Sequence, residues 1–129
     1  MAKLSFKAEL ENSSNNKIFV SLELYEFIED GMNIIYCPAL DLSSYGRNED
    51  EAKKGFQETF EIYINYCMSK KTLVKDLQRH GWNVKSAKQK KMKAPSTKDL
   101  LNSNDTLQDI IYNKDYVKMS EKVAFPALA

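Results

Sequence analysis

The sequence has little cysteine, proline, glycine or histidine: its 129 residues include 2 Cys, 3 Pro, 4 Gly and 1 His. Two cysteines, Cys37 and Cys67, are too few for a disulfide framework, and their spacing fits no zinc-binding pattern. We therefore expect two reduced, partly buried thiols. The single histidine, His80, would have to serve any Ser-His or Cys-His catalysis. Its place near a predicted helix C-terminus explains it without catalysis.

Long hydrophobic runs and an excess of one charge are also missing. No apolar run approaches the roughly 18 residues of a membrane helix, and residues 1–7 lack the apolar core of a signal peptide. We therefore expect a cytoplasmic protein without membrane contact. Because the net charge is only +1, no overall field directs the chain toward nucleic acid. The 43% hydrophobic and 11% aromatic content favours a globular fold.

The first third of the chain predicts strands. Residues 3–11 alternate apolar and polar side chains, which is typical of a half-buried strand. A second strand places Ile18, Val20, Leu22, Leu24 and Ile28 on one face, and Glu26 interrupts that stripe, indicating a bend or an edge. Asp30-Gly31 predicts a tight hairpin into a third strand, Met32 to Cys37. Regular pairing should stop near Pro38 or lie on an edge there, because proline cannot donate a hydrogen bond to a sheet.

A long helix is predicted from Glu49 to Lys70, with Asn48 as its N-cap and Glu51 reaching back to the cap. One stripe recurs at steps of three and four and should lie on the sheet; it consists of Ala52, Phe56, Phe60, Tyr63 and Cys67. Ile62, Ile64 and Tyr66 widen the apolar surface beyond that stripe. Either the helix is deeply covered, or part of it meets a partner.

Shorter elements follow. Thr72 can cap a helix from Leu73 to about His80 that Gly81 closes, and Trp82 to Val84 is interpreted as a short strand. The lysine-rich residues 85–93 are interpreted as a solvated linker, with phosphate contact as the alternative.

The C-terminal part predicts a helix capped by Ser96 and interrupted at Asn102 to Asp105, followed by a last strand over 116–125 that Pro126 stops. That strand could pair with a sheet edge of its own chain or of a second copy.

These elements predict an α+β fold in which a small antiparallel sheet of three to four strands packs on one long helix. A C-terminal extension would add a helix and a strand. We expect one α+β domain over residues 1–85. Residues 86–129 would then be a linker and an extension that could serve dimerisation.

The segment from Pro38 to Ala52 carries a resemblance to a known family. Pro38, Leu40 and Asp41 precede a Gly46–Ala52 stretch, Gly-Arg-Asn-Glu-Asp-Glu-Ala, that opens the long helix. In this order and spacing, residues 17–85 resemble the N-terminal domain of HicB-type antitoxins from bacterial toxin–antitoxin pairs. The family's second loop proline and glycine are replaced by Leu42 to Tyr45. Residues 86–129 match neither DNA-binding module of the family, so nucleic-acid binding stays open.

The resemblance implies a partial ribonuclease-H-like fold and a non-enzymatic protein that binds and covers a small mRNA-cleaving toxin resembling HicA. The loop from Pro38 to Tyr45 is apolar and tyrosine-bearing, which suits an interface, although these side chains could instead fold back as core. The candidate partner-binding residues are Tyr36, Pro38, Leu40, Asp41, Leu42 and Tyr45.

No catalytic residue, metal ligand or cofactor is expected. Two alternatives remain. One is an orphan relative that acts as a homodimeric interaction module without a toxin. The other is a divergent metal-dependent nuclease, for which convergent carboxylates would be needed; the candidates are Glu9, Glu23, Asp41 and Glu58.

Overall fold

The computed structural model describes residues 17–86 and 91–126, so the strand predicted over 3–11 lies outside the described residues. The strands are β1 (Lys17–Glu29), β2 (Met32–Cys37), β3 (Leu42–Gly46), β4 (Asn83–Ser86), β5 (Lys91–Lys93) and β6 (Tyr116–Pro126). The helices are α1 (Glu49–Lys70), α2 (Leu73–Arg79), α3 (Thr97–Leu101) and α4 (Asp105–Asn113). The predicted α+β class is confirmed. No helix of the described ranges is both long and apolar enough to cross a membrane.

The main sheet is antiparallel and has the order β3-β2-β1-β6. Its first hairpin turns at Asp30 and Gly31, whose φ angles of 52° and 78° are those of the tight turn predicted from the sequence. β2 ends at Cys37, directly before Pro38, as expected.

Helix α1 begins and ends where the sequence predicted. The Glu51 amide donates to Asn48 Oδ1 across 2.8 Å, so Asn48 is the N-cap. The Glu51 carboxylate accepts from the Arg47 amide rather than from the cap amide. Ala52, Phe56, Phe60 and Cys67 are buried as predicted, whereas Ile64 is buried in place of the half-buried Tyr63.

Of the two expectations at Glu26, a bend or an edge, the edge is wrong. Strand β1 is interior, and Glu26 pairs with Ile35 on one side and Val117 on the other. The apolar pattern changes there because β1 is covered on both faces. Beyond Leu24, the opposite face packs on α3 and α4 through a cluster of Tyr25, Phe27, Tyr36, Leu107 and Ile110. Ile28, expected inside, is 67% exposed.

The C-terminal strand pairs within its own chain. β6 lies beside β1 over its whole length, and Phe125 meets Phe60 edge-on with ring centroids 5.5 Å apart. Val123 and Phe125 join Leu22 in the same core cluster. Buried contacts therefore cross the predicted boundary at residue 85: β6 belongs to this cluster, and α4 belongs to the cluster on the opposite face of the sheet. The helix interruption predicted at Asn102 to Asp105 is confirmed.

Two local expectations need correction. The strand predicted at Trp82 begins one residue later as β4 and pairs with β5 in a separate two-stranded sheet, so part of the lysine-rich linker is a strand. Residues 87–90 of that linker lie outside the described residues. Thr72 makes no side-chain capping bond to α2. Gly81 does follow the helix end, with a φ of 90°.

Candidate functional site

The segment predicted as a loop from Pro38 to Tyr45 is a short turn followed by β3. The Leu40 amide donates to the Cys37 carbonyl, and Asp41 has a φ of 53°. Trp82 Nε1 donates to the Ala39 carbonyl across 2.7 Å. Because this hydrogen bond is buried, it holds the turn against the core. The strand β3 was missed because five residues, Leu-Ser-Ser-Tyr-Gly, carry too little alternation to predict it.

The structure divides the six candidate partner-binding residues by exposure. Tyr36, Pro38 and Leu40 are buried, which agrees with the alternative that these side chains fold back as core. Leu42 is half-buried and Asp41 is exposed, while Tyr45 is 70% exposed. Tyr45 lies opposite Ile34 in the β2–β3 register, on the sheet face away from α1. The surface part of the predicted site is therefore Asp41, Leu42 and Tyr45.

A groove surrounds Asp41. A cavity of about 630 Å³ lies between the turn, the end of α2 and the corner of α3 and α4. A second cavity of about 340 Å³ extends toward α1 and ends at Tyr66. Both are lined by Asp41, Arg79 and His80, so the two cavities adjoin at these residues, and we call them together the turn groove.

One end of the turn groove is organised by Asp76. Tyr63 donates its hydroxyl to Asp76 Oδ2 across 2.5 Å, and Arg79 donates to Oδ1. Partial burial alone would raise the pKa of Asp76, but these hydrogen bonds outweigh it and hold the pKa below its ordinary value. Burial and the Asp76 carboxylate both raise the pKa of Tyr63. His80 Nδ1 lies 2.8 Å from the Asp76 carbonyl oxygen, consistent with the predicted helix-end role.

The other end is organised by Tyr36. Its hydroxyl donates to Asp41 Oδ1 across 2.8 Å and accepts from Asn104 Nδ2 across 2.9 Å. Asn104 in turn accepts from the Leu107 amide and caps α4. Burial raises the pKa of Tyr36, and the neighbouring Asp41 carboxylate adds to the effect. Tyr36 thus positions Asp41 from beneath and contributes no surface of its own.

The groove carries more negative than positive charge. Asp41, Asp99 and Asp105 are exposed along it and make no ion pair with any residue of the described ranges. Arg79, its cation, is already paired with Asp76. The groove can therefore accept donors and cations from a partner.

The nuclease candidates do not converge. Glu23 accepts from Thr97 and pairs with Lys118 on the sheet face away from α1. Glu58 is exposed on α1, across the sheet from Glu23, and Glu9 lies outside the described residues. Within residues 17–86 and 91–126, no three His, Cys, Asp or Glu side chains are grouped so that they could hold a metal ion.

The sequence reasoning missed Asp76, Arg79 and Asn104 as groove residues. The spacing of Asp76, Arg79 and His80 at i, i+3 and i+4 could have indicated one charged face of α2. Asn104 could have been recognised as an N-cap. No sequence signal places either set beside Asp41, because that depends on how α2 and α4 pack.

No protein-family model matches the chain, and comparisons with curated proteins and with solved structures give no significant match either.

Proposed function

We propose that this chain is a non-enzymatic, HicB-like antitoxin that binds and inhibits a small HicA-like mRNA-cleaving toxin in the cytoplasm. The observation that carries the proposal is the junction from Pro38 to Ala52. The chain leaves β2 through the proline turn, forms β3, and enters α1 behind the Asn48 cap. Helix α1 then lies on the antiparallel sheet, as the resemblance requires.

The mechanism is occlusion of the toxin's RNA-binding face. An RNA-binding face presents Lys and Arg side chains to phosphates. The Asp41, Asp99 and Asp105 carboxylates of the turn groove offer such side chains an alternative set of acceptors. Tyr45, exposed on β3, supplies a large aromatic contact of the kind that anchors interfaces.

The test is a growth-rescue assay combined with direct binding. Any small basic protein encoded in the neighbouring reading frame is expressed to test whether it arrests growth, and the full chain is co-expressed with it. We expect co-expression to restore growth. We also expect the purified chain to inhibit RNA cleavage by the purified small basic protein. Asp41→Lys should weaken binding at least about tenfold, because it places a like charge against the basic partner.

Asp115→Lys is the matched control, because Asp115 is also exposed but lies outside the groove. It should leave rescue intact. Growth arrest that the full chain does not relieve, or the absence of a small basic protein from the neighbouring reading frame, would count against the antitoxin role.

A homodimeric interaction module is the second candidate. The observation that favours it is on α1, where Ile62 and Tyr66 are 69% and 61% exposed. Those two side chains belong to the apolar surface that the sequence predicted to be either covered or in contact with a partner.

A further inference from the structure

Four exposed side chains form one row along the outer surface of α1. Glu58, Ile62, Tyr66 and Lys70 follow one another at steps of four residues, and all four are exposed. Residues at this spacing are neighbours on a helix surface and form the ridges through which helices pack. At 1.5 Å per residue the row is about 18 Å long. We call it the α1 row.

The order of side chains in the α1 row is self-complementary. It runs acid, aliphatic, aromatic, base. A second copy laid antiparallel presents base, aromatic, aliphatic, acid. Glu58 of one copy then faces Lys70 of the other, and Ile62 faces Tyr66. The midpoint of both pairs falls level with Ile64, so a single two-fold axis generates every contact twice, as a symmetric dimer requires.

We infer that the α1 row is a homodimer interface whose occupant is a second copy of this chain in antiparallel orientation. Charge complementarity selects that occupant. Glu58 and Lys70 have no ion-pair partner among residues 17–86 and 91–126, and each gains one from the second copy. The antiparallel arrangement also sets the α1 dipoles in their favourable mutual orientation.

Most exposed charges at the two ends of α1 act in the same sense; Lys54, exposed one step before Glu58, is the exception. Glu49 and Asp50 are exposed at the start of α1, and Lys71 and Lys75 are exposed beyond its end. In an antiparallel pair the acidic end of one helix approaches the basic end of the other. A parallel pair would instead bring like charges together, which is destabilising.

Tyr66, the aromatic residue of the α1 row, already lies beside Lys70 within one copy of the chain. Lys70 Nζ lies 6.0 Å from the centre of the Tyr66 ring, so the cation and the ring form one unit. The approach of Ile62 and Glu58 from a second copy would bury the ring and supply a counter-charge to the ammonium. Four side chains cover less than the roughly 800 Å² per partner of a standard interface. The dimer should therefore be weak and should weaken further in salt.

Sedimentation equilibrium of the full chain over a range of concentrations tests this interface. We expect a monomer–dimer equilibrium that shifts toward monomer at high salt. Glu58→Lys and Lys70→Glu should each weaken dimerisation at least about tenfold, because each places like charges across the interface. In the double variant that carries both reversals, the dimer dissociation constant should return to within about threefold of the original value. The reason is that the ion pair re-forms with its two charges exchanged.

A matched pair of isoleucine variants distinguishes dimerisation through the α1 row from nonspecific hydrophobic association. Ile62→Ser should abolish most of the dimer, whereas Ile28→Ser should leave it unchanged, because Ile28 is 67% exposed but lies on β1. Circular dichroism should show unchanged helix content in every variant. A chain that stays monomeric at all concentrations, a double reversal no better than the single ones, or equal losses from both serine variants would overturn the inference. Because purified chain alone is used, the result is independent of any toxin.

Discussion

Trp82 Nε1 donates to the carbonyl oxygen of Ala39 across 2.7 Å, joining two positions that are 43 residues apart in the chain. The bond ties the segment after α2 to the turn that bears Asp41. The same indole ring lies 5.5 Å from the ring of Phe125 on β6. One side chain therefore connects the candidate site to the core and to the C-terminal strand.

Trp82→Phe should lower the free energy of unfolding by about 1–3 kcal/mol. The substitution retains an aromatic ring but leaves the buried Ala39 carbonyl without its donor, and an unsatisfied buried acceptor costs about that much. Urea unfolding measures the change. Tyr112→Phe is the control, because Tyr112 is 69% exposed, and it should unfold at the original midpoint. An unchanged midpoint for Trp82→Phe would show that the indole N–H contributes nothing.

Two glycines should respond to alanine in opposite directions. A Cβ on Gly46 would lie 2.4 Å from the Ala52 amide nitrogen, so Gly46→Ala forces β3 and α1 apart and should cost about 1–3 kcal/mol or more. A Cβ on Gly55 would meet Ser44 at an ordinary 3.5 Å. Because Gly55 lies within α1, Gly55→Ala should stabilise the protein by up to about 1 kcal/mol.

Thermal or urea unfolding of the two glycine variants, measured side by side, checks this contrast. Each serves as the control for the other, since the chemical change is identical and both positions lie at the β3–α1 contact. Equal effects of the same sign would mean that the close approach at Gly46 does not govern the packing of α1.

Asp76 should make stability depend on pH in the acid range. Its pKa is lower in the folded protein than its ordinary value of 3.8, so folding favours the carboxylate. The stabilisation is complete above that ordinary value and is lost as the pH falls through the folded pKa. Asp76→Asn should therefore cost about 2 kcal/mol near neutral pH, and the difference from the original protein should shrink in acid.

Urea midpoints of both proteins at neutral pH and at about pH 2–3 measure the effect of Asp76. Asp115→Asn provides the comparison, because it removes an exposed carboxylate outside the groove. A stability difference for Asp76→Asn that stays constant from neutral to acid pH would contradict the proposed linkage.

Cys37 should be inert toward thiol reagents in the folded protein. It is fully buried, and burial raises its pKa to about 12, so almost no thiolate is present near neutral pH. Mass spectrometry after brief treatment with a maleimide should find Cys37 unmodified in native buffer and modified in urea. Rapid labelling of Cys37 in the native protein would show that the turn opens readily.

The sequence was sufficient for the elements whose signals are local. The Asn48 cap, the acidic first turn and the apolar spacing predicted α1 from Glu49 to Lys70 because these features act within a few residues of one another. The Asp30-Gly31 turn was predictable for the same reason, since its two positive φ angles depend on those residues alone.

Packing between distant segments decided the rest. The sequence could list Tyr36, Leu40 and Tyr45 together as surface, but only the fold buries Tyr36 against α4 and Leu40 within the core while leaving Tyr45 exposed. Likewise, the alternation over 116–125 predicted a strand without naming its neighbour. Burial and strand pairing are long-range, because each depends on which segments the whole chain brings together. Local sequence propensities do not determine which distant segments pack together.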